Sequence, residues 1–181
     1  MSVVAAKKQR NKIFIVADSQ ENFGESTKKN IRGVKLRKVS DHVYIGCAGN
    51  GHIISLLYAF SERHPMDDIT ESVQLAEYFQ AFNKWVKSLI EDFTDEISVV
   101  ASCQYLIVIK DNVWEFMNFY IRKLEIGEIS AIGAGSDSLL SCMLLTDSLE
   151  EGIKAVCEHN IHCSEPLDSI EIDIKKYKNN E

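Results

Sequence analysis

Three residues of ordinary kind, Ser2, Asp18 and Lys35, fall where strand pairing would assemble a hydroxyl activated by an amine. Removal of Met1 would leave Ser2 with a hydroxyl and a free α-amine together at the head of an apolar run, Val3-Val4-Ala5-Ala6. Such a residue can be nucleophile and base at once, because an α-amine with a reference pKa of about 7.7–8.0 accepts a proton near neutral pH. Asp18 comes straight off a second apolar run, Ile13 to Ala17. If the two runs pair, Ser2 and Asp18 become neighbours. Lys35 opens a third run, and a lysine facing Ser2 would need Asp18 as its counter-ion. Its positive charge would disfavour protonation of the amine beside it. Each residue also has a plain reading, as an ordinary second residue, a loop acid or cap, and a surface charge.

The elements that must position these residues are legible from periodicity. The runs Val3 to Ala6 and Ile13 to Ala17 read as a hairpin buried on both faces, with Lys7 to Lys12 as its solvated turn. A polar loop extends from Asp18 to about Gly33, and strands follow at Leu36 to Val39 and Val43 to Ala48, joined through Ser40-Asp41. The period then becomes helical from Ile53 to Phe60, with a stop near His64-Pro65. A second helix is expected from Ser72 to Phe93, with Val73, Ala76, Phe79, Val86, Leu89, Ile90 and Phe93 on one stripe. Strands return at Ser98 to Lys110, Val113 to Phe119 and Ile129 to Ile132, the last entering Gly133-Ala134-Gly135-Ser136-Asp137. Helices at Ser138 to Leu145 and Leu149 to Asn160, a strand from Leu167 to Ile174 and a polar tail from Lys175 complete the chain. This grouping fits an α+β fold in which two stacked sheets are covered by helices on both outer faces, a four-layer αββα sandwich.

At 181 residues the sequence suits one domain spanning 1–181. A hydrophobic fraction of 45%, a charged fraction of 26% and no apolar run of membrane-spanning length point to a soluble, cytoplasmic protein with no signal peptide and no membrane partner. The net charge of −7 disfavours nucleic acid as a partner. Five cysteines with no CxxC pair make a disulfide framework a poor fit, and buried thiols are expected. His159, His162 and Cys163 lack the spacing of a closed zinc site, so neither a metal nor a cofactor is expected. The turn at Gly133 to Ser136 lacks the lysine of a phosphate loop and reads better as a glycine turn beside the active site. Trp85, Trp114, Phe116 and Phe119 read as core or subunit contacts.

Taken together, Ser2-Val3-Val4-Ala5, Ile15-Val16-Ala17-Asp18-Ser19, the stretch Lys35 to Gly49, and Ala131-Ile132-Gly133-Ala134-Gly135-Ser136-Asp137 resemble the proteasome β subunits and their bacterial relative HslV, which are N-terminal-nucleophile hydrolases. The likeness runs from Ser2 to about Ile172. It implies that Ser2 stands where the family has its nucleophilic threonine, Asp18 at the acid and Lys35 at the active-site lysine. The lysine match takes a one-residue insertion in the 21–33 loop, since an ungapped count puts Val34 there. By the same resemblance Gly49 supplies the oxyanion-hole N–H, Ser136 a hydroxyl near the nucleophile's amine, and Cys47 the floor of the primary specificity pocket.

The resemblance further implies a peptide or unfolded-protein substrate, a homo-oligomeric ring enclosing the sites, and room for an ATPase unfoldase as partner. Maturation would rest on methionine removal rather than self-cleavage of a propeptide. The chain departs from the family in two places: the nucleophile is serine, and Asn160 falls where an active-site aspartate is expected. Two alternatives therefore stand beside the peptidase, a catalytically silent structural subunit and a small-amide amidohydrolase of the same superfamily.

Overall fold

The computed structural model describes residues 2–23, 26–28, 35–89 and 99–178. Met1, Ile90, Phe93 and Ser98, named in the expectations above, lie outside them, as does Val34. The chain opens with β1 (Val4–Lys8), β2 (Lys12–Asp18) and a small hairpin of β3 (Glu21–Phe23) and β4 (Ser26–Lys28). Next come β5 (Leu36–Lys38), β6 (Val43–Gly49), α1 (Gly51–Arg63) and α2 (Ser72–Leu89). Then follow β7 (Cys103–Ile109), β8 (Asn112–Met117), β9 (Tyr120–Lys123), β10 (Ile129–Ile132), α3 (Ser136–Cys142), α4 (Leu149–His159), β11 (Leu167–Asp173) and a terminal turn of helix, α5 (Lys175–Lys178).

Two antiparallel sheets carry the fold, one ordered β10-β1-β2-β11 and the other a meander, β5-β6-β7-β8-β9. Strand alternation divides the apolar residues among three cores. Val4, Ala6, Ile13 and Ile15 meet Leu106 and Val108 between the sheets. Val3, Ala5 and Val16 face Leu139 of α3 and Ile153 and Val156 of α4. On the far side, Ile45, Cys47, Tyr105 and Ile107 pack against Leu57 and Phe60 of α1 and Phe79 and Phe82 of α2. The layers are therefore αββα. Because β1 and β2 are covered on both faces, they read as nearly continuous apolar runs rather than as alternating ones.

Several boundaries differ from expectation, each for a local reason. Lys7 and Lys8 belong to β1 and are buried; only Gln9 to Asn11 turn, closed by the Gln9 N–H donating to the Lys12 carbonyl at 2.8 Å. The Lys7 ammonium escapes the sheet by donating to the Asp147 carbonyl at 2.7 Å, so its stem crosses apolar surface to a partner. The buried stripe of α2 is Leu75, Phe79, Phe82 and Val86, whereas Val73 and Leu89 are 55% and 53% exposed. Phe79 stacks on Phe116 with ring centroids 4.0 Å apart, which fixes that helical phase. A 3₁₀ turn, Val99–Ser102, precedes β7 where strand was expected. Beyond β8 the chain reverses at Asn118-Phe119, both with φ above +50°, and returns as β9. Two left-handed residues are the geometry of a tight hairpin turn, and phenylalanine is an unusual residue to supply one. The polar tail begins as α5, whose Tyr177 hydroxyl lies 2.8 Å from His42 Nδ1.

α1 starts and stops as its sequence dictates. Asn50 caps it by accepting from the His52 and Ile53 N–H groups, and Pro65 follows the final turn. Among the described residues no helix is long and apolar enough to cross a membrane.

Candidate active site

The ends of β2 and β6 and the entry to β5 meet at one edge of the sandwich. In the β1/β2 register Val4 lies opposite Ala17, which sets Asp18 against Val3 rather than Ser2. The Asp18 N–H donates to the Val3 carbonyl at 3.1 Å, and Asp18 Oδ1 accepts the Val3 N–H at 2.8 Å. The same oxygen accepts from Lys35 Nζ at 2.7 Å. Asp18 Oδ2 takes the N–H groups of Gln20 and Ser164, at 3.0 and 3.2 Å. A carboxylate only 1% exposed is sustained by charge-assisted bonds of this kind and would be costly without them. Lys35 is itself 6% exposed, and its carbonyl accepts the Cys47 N–H at 2.7 Å, which ties it to β6. Lys35 therefore reaches the acid, whatever the register of the loop before it.

Ser2, 5% exposed, is held by its main chain. Its carbonyl accepts the Gly135 N–H at 3.1 Å. Gly133, at φ +90°, lies so close that a Cβ there would collide with the Ser2 carbonyl oxygen, so this turn needs glycine for both its conformation and its approach. Ser136 is one residue further on, at the start of α3, with its N–H on the Gly133 carbonyl at 3.1 Å. Its side chain is not among those that line the cleft shared by Ser2 and Gly49.

Ser2 and Gly49 face a common cleft of about 490 Å³, together with Ser102, Cys103, Gln104, Asn118 and Gly133. Gly49 sits at φ +138°, and a Cβ there would come within 2.5 Å of the Ser102 carbonyl, so backbone rather than side chain faces the cleft. Among the described residues no charged side chain lines it. Burial pushes the Cys103 thiol up from its ordinary value, which leaves it a poor nucleophile beside Ser2.

Cys47, assigned to a pocket floor by resemblance, sits away from this cleft, and Asn160, where the resemblance expects an acid, is engaged elsewhere. Cys47 points into the core against α1, where the Tyr58 hydroxyl donates to its sulfur at 3.8 Å, and it is absent from the lining of this cleft. Burial raises both its thiol and the Tyr58 phenol. Asn160 closes α4 and spends its side-chain oxygen on the His162 N–H at 2.9 Å, while Ser164 serves Asp18 instead.

Sequence reasoning missed Ser164 and Gln104. The Ser164 Oγ is buried with no hydrogen-bond partner among the described residues. Gln104 accepts the Gly133 N–H at 2.7 Å and donates to Met117 Sδ at 2.9 Å. One signal was available for Gln104: a lone amide on an otherwise apolar strand must find partners.

No protein-family model matches the sequence, and no curated protein does. Solved structures do. The chain is similar to Thiobacillus denitrificans BPH in complex with epoxomicin, at 14% identity and a TM-score of 0.79, over 96% of this chain and 99% of that one. BPH without the compound gives 15% identity and a TM-score of 0.76, over 96% and 98%. Eukaryotic HslV from Trypanosoma brucei gives 17% identity and a TM-score of 0.69, over 94% and 99%. At such identities the likeness speaks to architecture, and with the layers and strand orders above it gives this chain the proteasome β-subunit and HslV-like fold.

Proposed function

We propose that this chain is a proteasome-like peptidase whose nucleophile is Ser2, uncovered by removal of Met1, and whose base is the Ser2 α-amine. The observation that carries this reading is the bifurcated role of Asp18 Oδ1, which accepts from both Val3 N–H and Lys35 Nζ and so ties the residue after Ser2 to a buried cation. In the mechanism the Ser2 Oγ attacks a peptide carbonyl while its proton passes to the α-amine through water. The Lys35 ammonium, fixed by Asp18, favours the neutral amine by like-charge repulsion. The Gly49 N–H stabilises the tetrahedral oxyanion. Collapse breaks the C–N bond, the leaving amine takes the proton back, and water then hydrolyses the ester on Ser2. Ser136, one turn from the Ser2 carbonyl, supports the amine.

With no charged side chain among the described residues of its lining, the cleft favours substrates with uncharged side chains near the scissile bond. The solved complex of a structural neighbour with epoxomicin makes that compound a natural probe. Assembly as a homo-oligomeric ring in the cytoplasm, with an ATPase unfoldase as partner, belongs to the same proposal.

Hydrolysis of fluorogenic peptides by the wild type and its loss in Ser2→Ala test the reading. One observation favours the rival, a silent structural subunit: the Asn160 side chain caps a turn instead of joining the Asp18 network. No turnover in the wild type would support that rival, whereas equal turnover in wild type and Ser2→Ala would place the nucleophile elsewhere. Preferential cleavage of small amides would favour an amidohydrolase.

A further inference from the structure

The proposed nucleophile and its oxyanion donor stand on different sheets. Ser2 precedes β1 of the four-stranded sheet, and Gly49 ends β6 of the five-stranded one. Their separation is therefore set by how far apart the sheets ride at this edge. Apolar packing between the sheets is close but non-directional, so it sets their spacing without by itself fixing how the backbone at this edge is oriented. Among the described residues, Ser130 Oγ of β10 donates across to Glu115 of β8, and two directional ties cross the gap beside Ser2 and Gly49. One is Lys35 to Asp18; the other is Gln104, whose Oε1 leaves β7 of the five-stranded sheet and accepts the Gly133 N–H at the end of β10 in the other.

Gln104 is placed for that task by its register. Along β7 the side chains of Leu106 and Val108 enter the core between the sheets, and Gln104 shares their face. It pairs with Ala48 on one side and Met117 on the other, adjacent to the Gly49–Cys103 pair. Its Nε2 donates to Met117 Sδ at 2.9 Å, which orients the amide so that the oxygen faces Gly133. Gly133 in turn abuts the Ser2 carbonyl, and Gly135 donates to it.

We infer that Gln104 is a positioning residue that sets the distance between the Ser2 hydroxyl and the Gly49 N–H by clamping the Gly133 turn to β7. The inference rests on the function proposed above. It needs no contact with substrate: the amide acts through Gly133 on the backbone that carries Ser2. Misplacement of reacting groups by about 1 Å can cost about 100-fold in rate, so a lost clamp should appear in kcat.

The test compares Gln104→Met, which keeps length but removes the acceptor, with Gln104→Glu, which keeps an acceptor for the Gly133 N–H. Peptide turnover and amide hydrogen exchange are read on both, with circular dichroism as the check on folding. Gln104→Met should lower kcat by about 30- to 100-fold with KM within about twofold, while Gln104→Glu stays within about tenfold of wild type. Exchange at Gly133 and Gly135 should quicken about fivefold in Gln104→Met, the equivalent of one ordinary hydrogen bond. A folded Gln104→Met enzyme with unchanged kcat overturns the inference, and so does a Gln104→Glu variant as impaired as Gln104→Met. Unchanged exchange overturns the clamp itself, whatever the activity. A wild type with no turnover of any peptide instead overturns the proposed function, and the positioning role with it.

Discussion

Asp18 ends β2 of one sheet and Lys35 leads into β5 of the other, and the 2.7 Å ion pair between them closes the edge of the sandwich at which Ser2 and Gly49 share a cleft. Both partners are almost wholly buried, so salt screens the pair far less than it would a surface pair. Removal of one partner leaves the other as an uncompensated charge. Lys35→Met is expected to destabilise the fold by about 3–5 kcal/mol, read as a lower urea midpoint, and to abolish peptide turnover. A variant with the wild-type midpoint would show that the pair does not hold the sheets together.

Gly133 provides a second, independent probe of the same geometry. Gly133→Ala places a methyl group against the Ser2 carbonyl and forces an L-residue to φ +90°. The conformational cost alone is about 1–2 kcal/mol, and the collision adds to it by displacing Ser2. Lower thermal stability together with a fall in kcat is expected. Gly127→Ala is the control, because Gly127 also has positive φ yet nothing within 4 Å of its Cβ position. It should lose some stability and keep kcat.

Buried thiols make the fold sensitive to alkali. Cys163, at the α4 exit, has its thiol pushed up to about 12, by burial first and then by the Asp18 carboxylate. The unfolded chain releases that proton near the ordinary value of 9.0, while the folded chain keeps it to higher pH. The folded state thus binds more protons between these values, and stability falls as pH rises from about 9 toward 12. Below 9 the contribution is fully present. Urea unfolding followed from pH 8 to pH 11 should show this decline, and Cys163→Ala should flatten part of it; equal slopes for the two proteins would refute the assignment.

Lys7 separates a backbone partner from a side-chain one. Its ammonium donates to the Asp147 carbonyl oxygen at 2.7 Å, whereas the Asp147 carboxylate is 3.5 Å away and fully exposed. Asp147→Asn should leave the urea midpoint where it is, because the bond that satisfies the buried lysine remains. Lys7→Ala should lower it, through lost packing of the stem and an unfilled carbonyl. A larger effect from Asp147→Asn than from Lys7→Ala would reverse that ranking.

Much of this edge was legible because β1 and β2 announce themselves as doubly buried strands, and pairing them brings Asp18 to the head of β1. The offset by one residue was not, since register depends on the turn, and Lys7 and Lys8 disguised strand as turn. β9 was hidden for a related reason: nothing in Asn118-Phe119 looks like a chain reversal until both residues are seen with positive φ. Gln104 and Ser164 join the site through contacts between segments far apart in sequence, which no local pattern reports, whereas Lys35 was reached through its need for an acid such as Asp18. The α2 stripe was only partly legible: Phe79 and Val86 are buried as expected, but Leu75 and Phe82 complete it while Val73 and Leu89 are apolar yet exposed, and hydrophobicity alone does not fix helical phase.

The most direct measurement is the N-terminal peptide of protein purified from its native host, mapped by mass spectrometry before and after treatment with epoxomicin. A peptide that begins at Ser2 and gains the mass of the compound on that residue is the expected result. Retention of Met1 would contradict the proposal outright, because the amine that serves as base would then belong to another residue. So would a free Ser2 that stays unmodified while the protein still turns over peptides, since the nucleophile would then lie elsewhere.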